Sequence, residues 1–149
     1  MSNAQKVKAL QKAYAQAKAE NERVKQLTNT IKDKILKDNV FVSADNDPVE
    51  PGERITNHNG DFTMSETEFE RYCKLVHTEQ IKAGLDVPDW NTTEDWKTRP
   101  ALRKAEDDLI DYGLSRIQVE ESTKNKMKRE YDIRQKMIDL AMRLDPRTV

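Results

Sequence analysis

The chain predicts a mainly α protein: a long N-terminal coiled-coil-like helix, a short irregular or β-hairpin insertion, then a small helical body with a long C-terminal helix. Three observations carry this reading. Apolar residues recur through residues 7–35 at gaps that alternate between three and four, the period of a helix-pairing seam. Four Gly and five Pro in 149 residues are too few for a turn-rich β fold. Charged residues reach 36%, equal to the apolar fraction, and aromatics are 6%, so any core is thin and assembled from helix faces.

The first helix is expected over residues 4–38, because nothing from Ala4 to Asp38 is Gly or Pro. At ~1.5 Å per residue it extends roughly 50 Å. With Val7 at heptad position a, the other a positions are Tyr14, Asn21, Thr28 and Ile35, and the d positions are Leu10, Ala17, Val24 and Ile31. Ala17, Asn21 and Thr28 make the seam thin, whereas Leu27 and Leu36 widen it towards the C-terminal half. A widening stripe suits packing against a globular body. Asn21 has two readings: it fixes the register of a parallel pair, or it faces solvent or another polar group.

Residues 40–64 are the least helical and read as an acidic loop or small hairpin. Val40-Phe41-Val42 is a candidate short strand, and Asp45-Asn46-Asp47-Pro48 and Pro51-Gly52 are turn signals. Arg54-Ile55-Thr56 and Asp61-Phe62-Thr63 flank Asn57-His58-Asn59-Gly60, a hairpin pattern with Asn-Gly at its tip. Such a hairpin needs helices to cover it.

The helical body, residues 65–149, begins at a capping box. Ser65 is the N-cap and Glu68 follows three residues later, while Met64 and Phe69 form the matching hydrophobic staple. Phe69, Tyr72, Cys73, Val76 and Gln80 share one face. Gly84 is a natural stop, with Leu85 packing back. Thr92 or Thr93 caps a short helix containing Glu94, Asp95 and Trp96. Pro100 lies in the first turn of a third helix, where its missing N–H costs little. From Ala101 to Leu144 the expectation is one long helix bent near Gly113, or two helices breaking there. Its apolar positions are Leu102, Leu109, Ile110, Leu114 and Ile117, then Ile133, Met137, Leu140, Ala141 and Leu144, around a polar stretch at 118–130. Residues 1–39, 40–64 and 65–149 thus form one domain with the first helix packed on it or extending from it.

The net charge of −1 is segregated. Residues 1–39 carry nine Lys/Arg against four acids, residues 40–98 five against thirteen, and residues 99–149 twelve against ten. Basic ends and an acidic middle attract one another within or between chains. Cys73 is the only cysteine, which excludes an intrachain disulfide and points to a reducing compartment. Lys6, Lys8 and Lys12 interrupt any signal-peptide apolar region. No apolar run exceeds three residues, as in Val40-Phe41-Val42, so no membrane span is expected. The expected setting is soluble and cytoplasmic.

Four constellations are candidates for chemistry. Cys73 and His77 lie one helical turn apart, as a thiolate–imidazole nucleophile or half a zinc site would require. Against this, Cys73 falls on the apolar face, and the only other histidine is His58. Glu106-Asp107-Asp108 with Asp111 offers carboxylates for a hard cation but lacks ligand-loop spacing, and acids early in a helix complement its dipole. Lys124, Lys126, Lys128 and Arg129 are the densest basic stretch and candidate phosphate contacts, blunted by Glu120, Glu121, Glu130 and Asp132. Trp90 and Trp96 either seal the connection before the third helix or form a partner hot spot. There is no P-loop, no dinucleotide glycine run and no catalytic triad set. The expected function is a non-enzymatic helical association or assembly module, self-associating or binding a larger protein through Val7–Ile35, with no cofactor, metal or catalytic residue. The alternative is a nucleic-acid accessory protein using the basic faces of the terminal helices. The third class, an enzyme using Cys73 or a metal, has the least support.

Overall fold

The computed structural model describes residues 2–42 and 64–148. Its helices are α1 (Asn3–Asp38), α2 (Glu66–Lys82), α3 (Thr98–Leu114), α4 (Glu121–Arg129) and α5 (Tyr131–Arg143), followed by a 3-10 turn at Pro146–Thr148. The fold is mainly α, with no strand among the described residues. The hairpin expected at 54–63, its turns and His58 lie outside the described residues. At their margin Val42 and Met64 are single bridge residues, and Ser65 N donates to Val42 O at 3.3 Å. The strand expected at Val40-Phe41-Val42 reduces to that one bridge.

Two compact units divide the chain: Met1–Asn21 with Lys97–Val149, and Glu22–Trp96. Both divisions differ from the sequence boundaries after 39 and 64. The unit formed by 1–21 and 97–149 buries Tyr14 with Leu109, Ile110 and Leu114 of α3 and Ile138 and Ala141 of α5. The unit formed by 22–96 buries Ile31, Ile35, Leu36 and Phe41 with Met64, Tyr72 and Val76. Its second cluster joins Val24 to Leu85 and Val87. Each unit thus takes its own part of the α1 stripe as one wall of its core.

Local chemistry sets the ends of α2. Ser65 Oγ accepts from Glu68 N at 3.3 Å, the first half of the capping box. The second half is redirected: Ser65 N is committed to Val42 O, and the Glu68 carboxylate accepts from Val42 N at 3.3 Å instead. Met64, 1% exposed, and half-buried Phe69 complete the staple within one cluster. At the other end Leu85 N donates to Gln80 O and Gly84 N to Ile81 O, each at 3.0 Å, a Schellman motif. That geometry needs φ +84° at Gly84, which an L side chain adopts only under strain.

The C-terminal region departs from expectation twice. Glu94-Asp95-Trp96 is a turn and not a short helix. Asp89 organises the preceding bend, its Oδ1 accepting from Asn91 N and Thr92 Oγ1 at 2.9 Å each. α3 does end beside Gly113, but a second break falls at Glu130, which is extended at φ −76°, ψ 116° although neither Gly nor Pro is there. α4 has no fully buried residue and adds only half-buried Met127 to the core around Tyr14, so little packing holds it in line with α5. Arg134 Nη1 donates to Lys128 O at 2.8 Å and satisfies a carbonyl that the break leaves without a helical partner.

Candidate functional site

All nine seam residues are buried or half-buried within the chain itself. Val7, Tyr14, Val24, Ile31 and Ile35 are core residues, and Leu10 and Ala17 pack against the core around Tyr14. The polar positions are also satisfied internally. Asn21, 4% exposed, donates through Nδ2 to Thr98 Oγ1 at 2.8 Å, the first residue of α3. Thr28 Oγ1 accepts from Gln80 Nε2 at 3.1 Å. Of the two readings of Asn21, the structure matches the second in its polar-group form: the buried amide faces a hydroxyl of the same chain and not solvent. In this fold the seam is core, and it presents no open strip to another molecule.

Cys73 lies in the 22–96 unit on a cleft of about 310 Å³, lined by Phe69, Tyr72, Val76, Trp90 and the polar Thr28, Lys32 and Gln80. Burial pushes the Cys73 thiol above its ordinary pKa, against a smaller downward pull from Lys32. Burial likewise raises the Tyr72 phenol, and Cys73 and Asp33 add to it. A thiol held protonated is a poor nucleophile and a poor metal ligand. His77 places Nε2 2.9 Å from Val87 O, which requires the Nε2–H tautomer and orients the ring onto the 85–88 connection. The cleft therefore has the chemistry of packing.

The tryptophans part company. Trp96 donates Nε1–H to Asp86 O at 2.7 Å and fastens the connection to itself. Trp90 is half-buried on the cleft wall, with Lys74 Nζ 5.8 Å from its ring centroid.

In the 1–21/97–149 unit the acidic cluster is matched by bases. Arg134, its side chain 3% exposed, reaches Asp107 Oδ1 at 2.8 Å and Glu106 Oε1 at 3.5 Å. Lys104 pairs with Asp108 at 2.9 Å and Lys128 with Asp111 at 2.7 Å. Four carboxylates that read as a cation site are thus each opposite a side-chain cation. The candidate phosphate contacts do not share a face: Lys124 and Lys128 lie beside Asp111 and Glu121, while Lys126 and Arg129 project from the other side of α4.

α5 supplies a surface that the sequence shows only as one amphipathic stripe of Ile133, Met137, Leu140, Ala141 and Leu144. Arg134, Ile138 and Ala141 face inward. Ile133, Met137, Leu140 and Leu144, spaced 4-3-4, form a second stripe about 100° away around the helix. Ile133 is 36%, Leu140 63% and Leu144 37% exposed, and Met137 is half-buried at the junction with the core. Gln11 Nε2 donates to Ala141 O and Leu144 O at 2.9 Å each, so the end of the stripe is anchored by α1. The signal is the spacing itself: Ala141 belongs with Arg134 and Ile138 on the inward face, and without it Ile133, Met137, Leu140 and Leu144 stand as a separate row. No family model matches the chain, and comparisons with curated proteins and with solved structures find no match.

Proposed function

We propose that this protein is a non-enzymatic helical association module that binds another protein through the outer stripe of α5. The observation that supports this is a heptad-spaced apolar row open to solvent on a helix whose other face already completes a core. An apolar row of this kind is stabilised by a second helix laid along it. The raised Cys73 pKa, the backbone-committed His77 and the paired acidic cluster agree with a role outside catalysis.

The test is site-specific photo-crosslinking from position 140 in cells that make the protein, with position 18 on α1 as control. A discrete protein adduct at 140, lost when Ile133→Asp is added, is the expected result. Adducts that are equal at both positions, or unaffected by Ile133→Asp, would remove the support for this surface.

A further inference from the structure

Resting on that reading, we infer that the α5 stripe receives an acidic-flanked amphipathic helix of a partner protein, and not a second copy of this chain. Three features define the fit. The stripe is one heptad row wide, which matches the seam of a single helix and is narrower than the broad apolar face of an interfacial membrane helix. Beside the row, on its solvent edge, stand exposed Lys136 and Arg143, seven residues apart on α5; exposed Asp132 and Asp139 lie one turn before them and further from the row, and neither base forms an ion pair among the described residues. Finally, the unit that holds the stripe carries seventeen Lys/Arg against eleven acids, net +6, whereas Glu22–Trp96 carries nine against sixteen, net −7.

With Ile133 at d and Met137 at a, Lys136 and Arg143 occupy g and Arg134 and Ala141 occupy e. An antiparallel pair of identical helices sets g against g, base against base. A parallel pair sets g against e, where Arg134 is already buried on Asp107. Neither symmetric arrangement sets an acid at e or g against these bases, whereas Glu or Asp beside the apolar row of a foreign helix meets both.

The experiment uses the full chain and two fluorescent peptides of about three heptads, identical Leu seams flanked by Glu in one and by Lys in the other, read by anisotropy. The Glu-flanked peptide is expected to bind at least about tenfold more tightly, and raised salt should narrow that gap. Lys136→Glu/Arg143→Glu should reverse the preference, and Leu140→Asp should abolish binding of both peptides with the fold intact by circular dichroism. Equal binding of the two peptides would overturn the acidic partner while leaving the association reading standing. Binding of neither peptide, together with crosslinks at 140 that ignore Ile133→Asp, would overturn both. Self-association lost in Leu140→Asp would make a second copy the occupant. Capture by anionic vesicles, with neither peptide bound, would make it a membrane surface; either result refutes the inference.

Discussion

Ile31 on α1 and Leu140 on α5 belong to stripes with the same three- and four-residue spacing, yet they are 9% and 63% exposed. The α1 stripe is divided between two cores, each supplying its own cover: Leu109, Ile110 and Ile138 over Tyr14, and Met64, Tyr72 and Val76 beside Ile31 and Ile35. α5 has one inward face and spends it on Ile138 and Ala141, so its second stripe stays in water. Apolar periodicity records that a face is stabilised by cover. It carries no information on whether the cover is intramolecular.

The largest effect expected from this contrast comes from placing charge on each stripe. Leu10→Asp/Ile31→Asp buries carboxylates in both cores and should unfold the chain, a loss of at least about 4 kcal/mol. Ile133→Asp/Leu140→Asp should remain folded. Circular dichroism with light scattering separates the cases, and a folded, dissociated seam variant would return the seam to an intermolecular role.

Neighbouring residues of α5 sharpen the same point. Ile138→Ala should cost about 3 kcal/mol in urea unfolding, because it opens a cavity at a side chain 1% exposed. Leu140→Ala should shift stability by less than about 0.5 kcal/mol. Comparable losses at the two positions would mean that the outer stripe is covered in solution.

Arg134 tests how α5 is held to present that stripe. Arg134→Met should cost about 3 kcal/mol, the low end for breaking a buried pair, since Asp107 keeps 31% of its side-chain surface exposed and is resolvated. An unchanged urea midpoint would show that apolar packing alone orients α5.

The smallest effect belongs to a local device. Hydrogen bonds from Arg71 hold the Glu68 carboxyl below its ordinary pKa, helped by the Val42 N–H and opposed by desolvation. A carboxyl lowered on folding contributes stability above its unfolded pKa, and loses it as pH falls through the folded value. The stability gap between wild type and Glu68→Gln should therefore shrink on acidification below the ordinary glutamate pKa, about 4.3. A gap independent of pH would mean that the charged form is not the one engaged.

Legibility in the sequence followed the range of the interaction. Ser65, Glu68, Met64 and Phe69 announce the start of α2 because cap and staple act within five residues, and Gly84 announces its end for the same reason. The redirection of Glu68 to Val42 was not legible, because it depends on where Ser65 N finds an acceptor across 43–63. The break at Glu130 has no Gly or Pro to mark it; it follows from a thinly buried α4 and an arginine that reaches back to its last turn. The acidic cluster resembles a cation site in the sequence because its counter-charge, Arg134, comes from 27 residues or more away and is placed only by the packing of α5 on α3.

The sequence by itself determined the helical class, the ends of α2 and the existence of apolar rows on α1 and α5, since backbone hydrogen bonds four residues apart and side-chain caps are short-range choices. Only the tertiary structure decided which rows are core. Burial is allotted by competition among all apolar faces of the chain for limited cover, and that allotment closed the α1 seam and left the α5 stripe open.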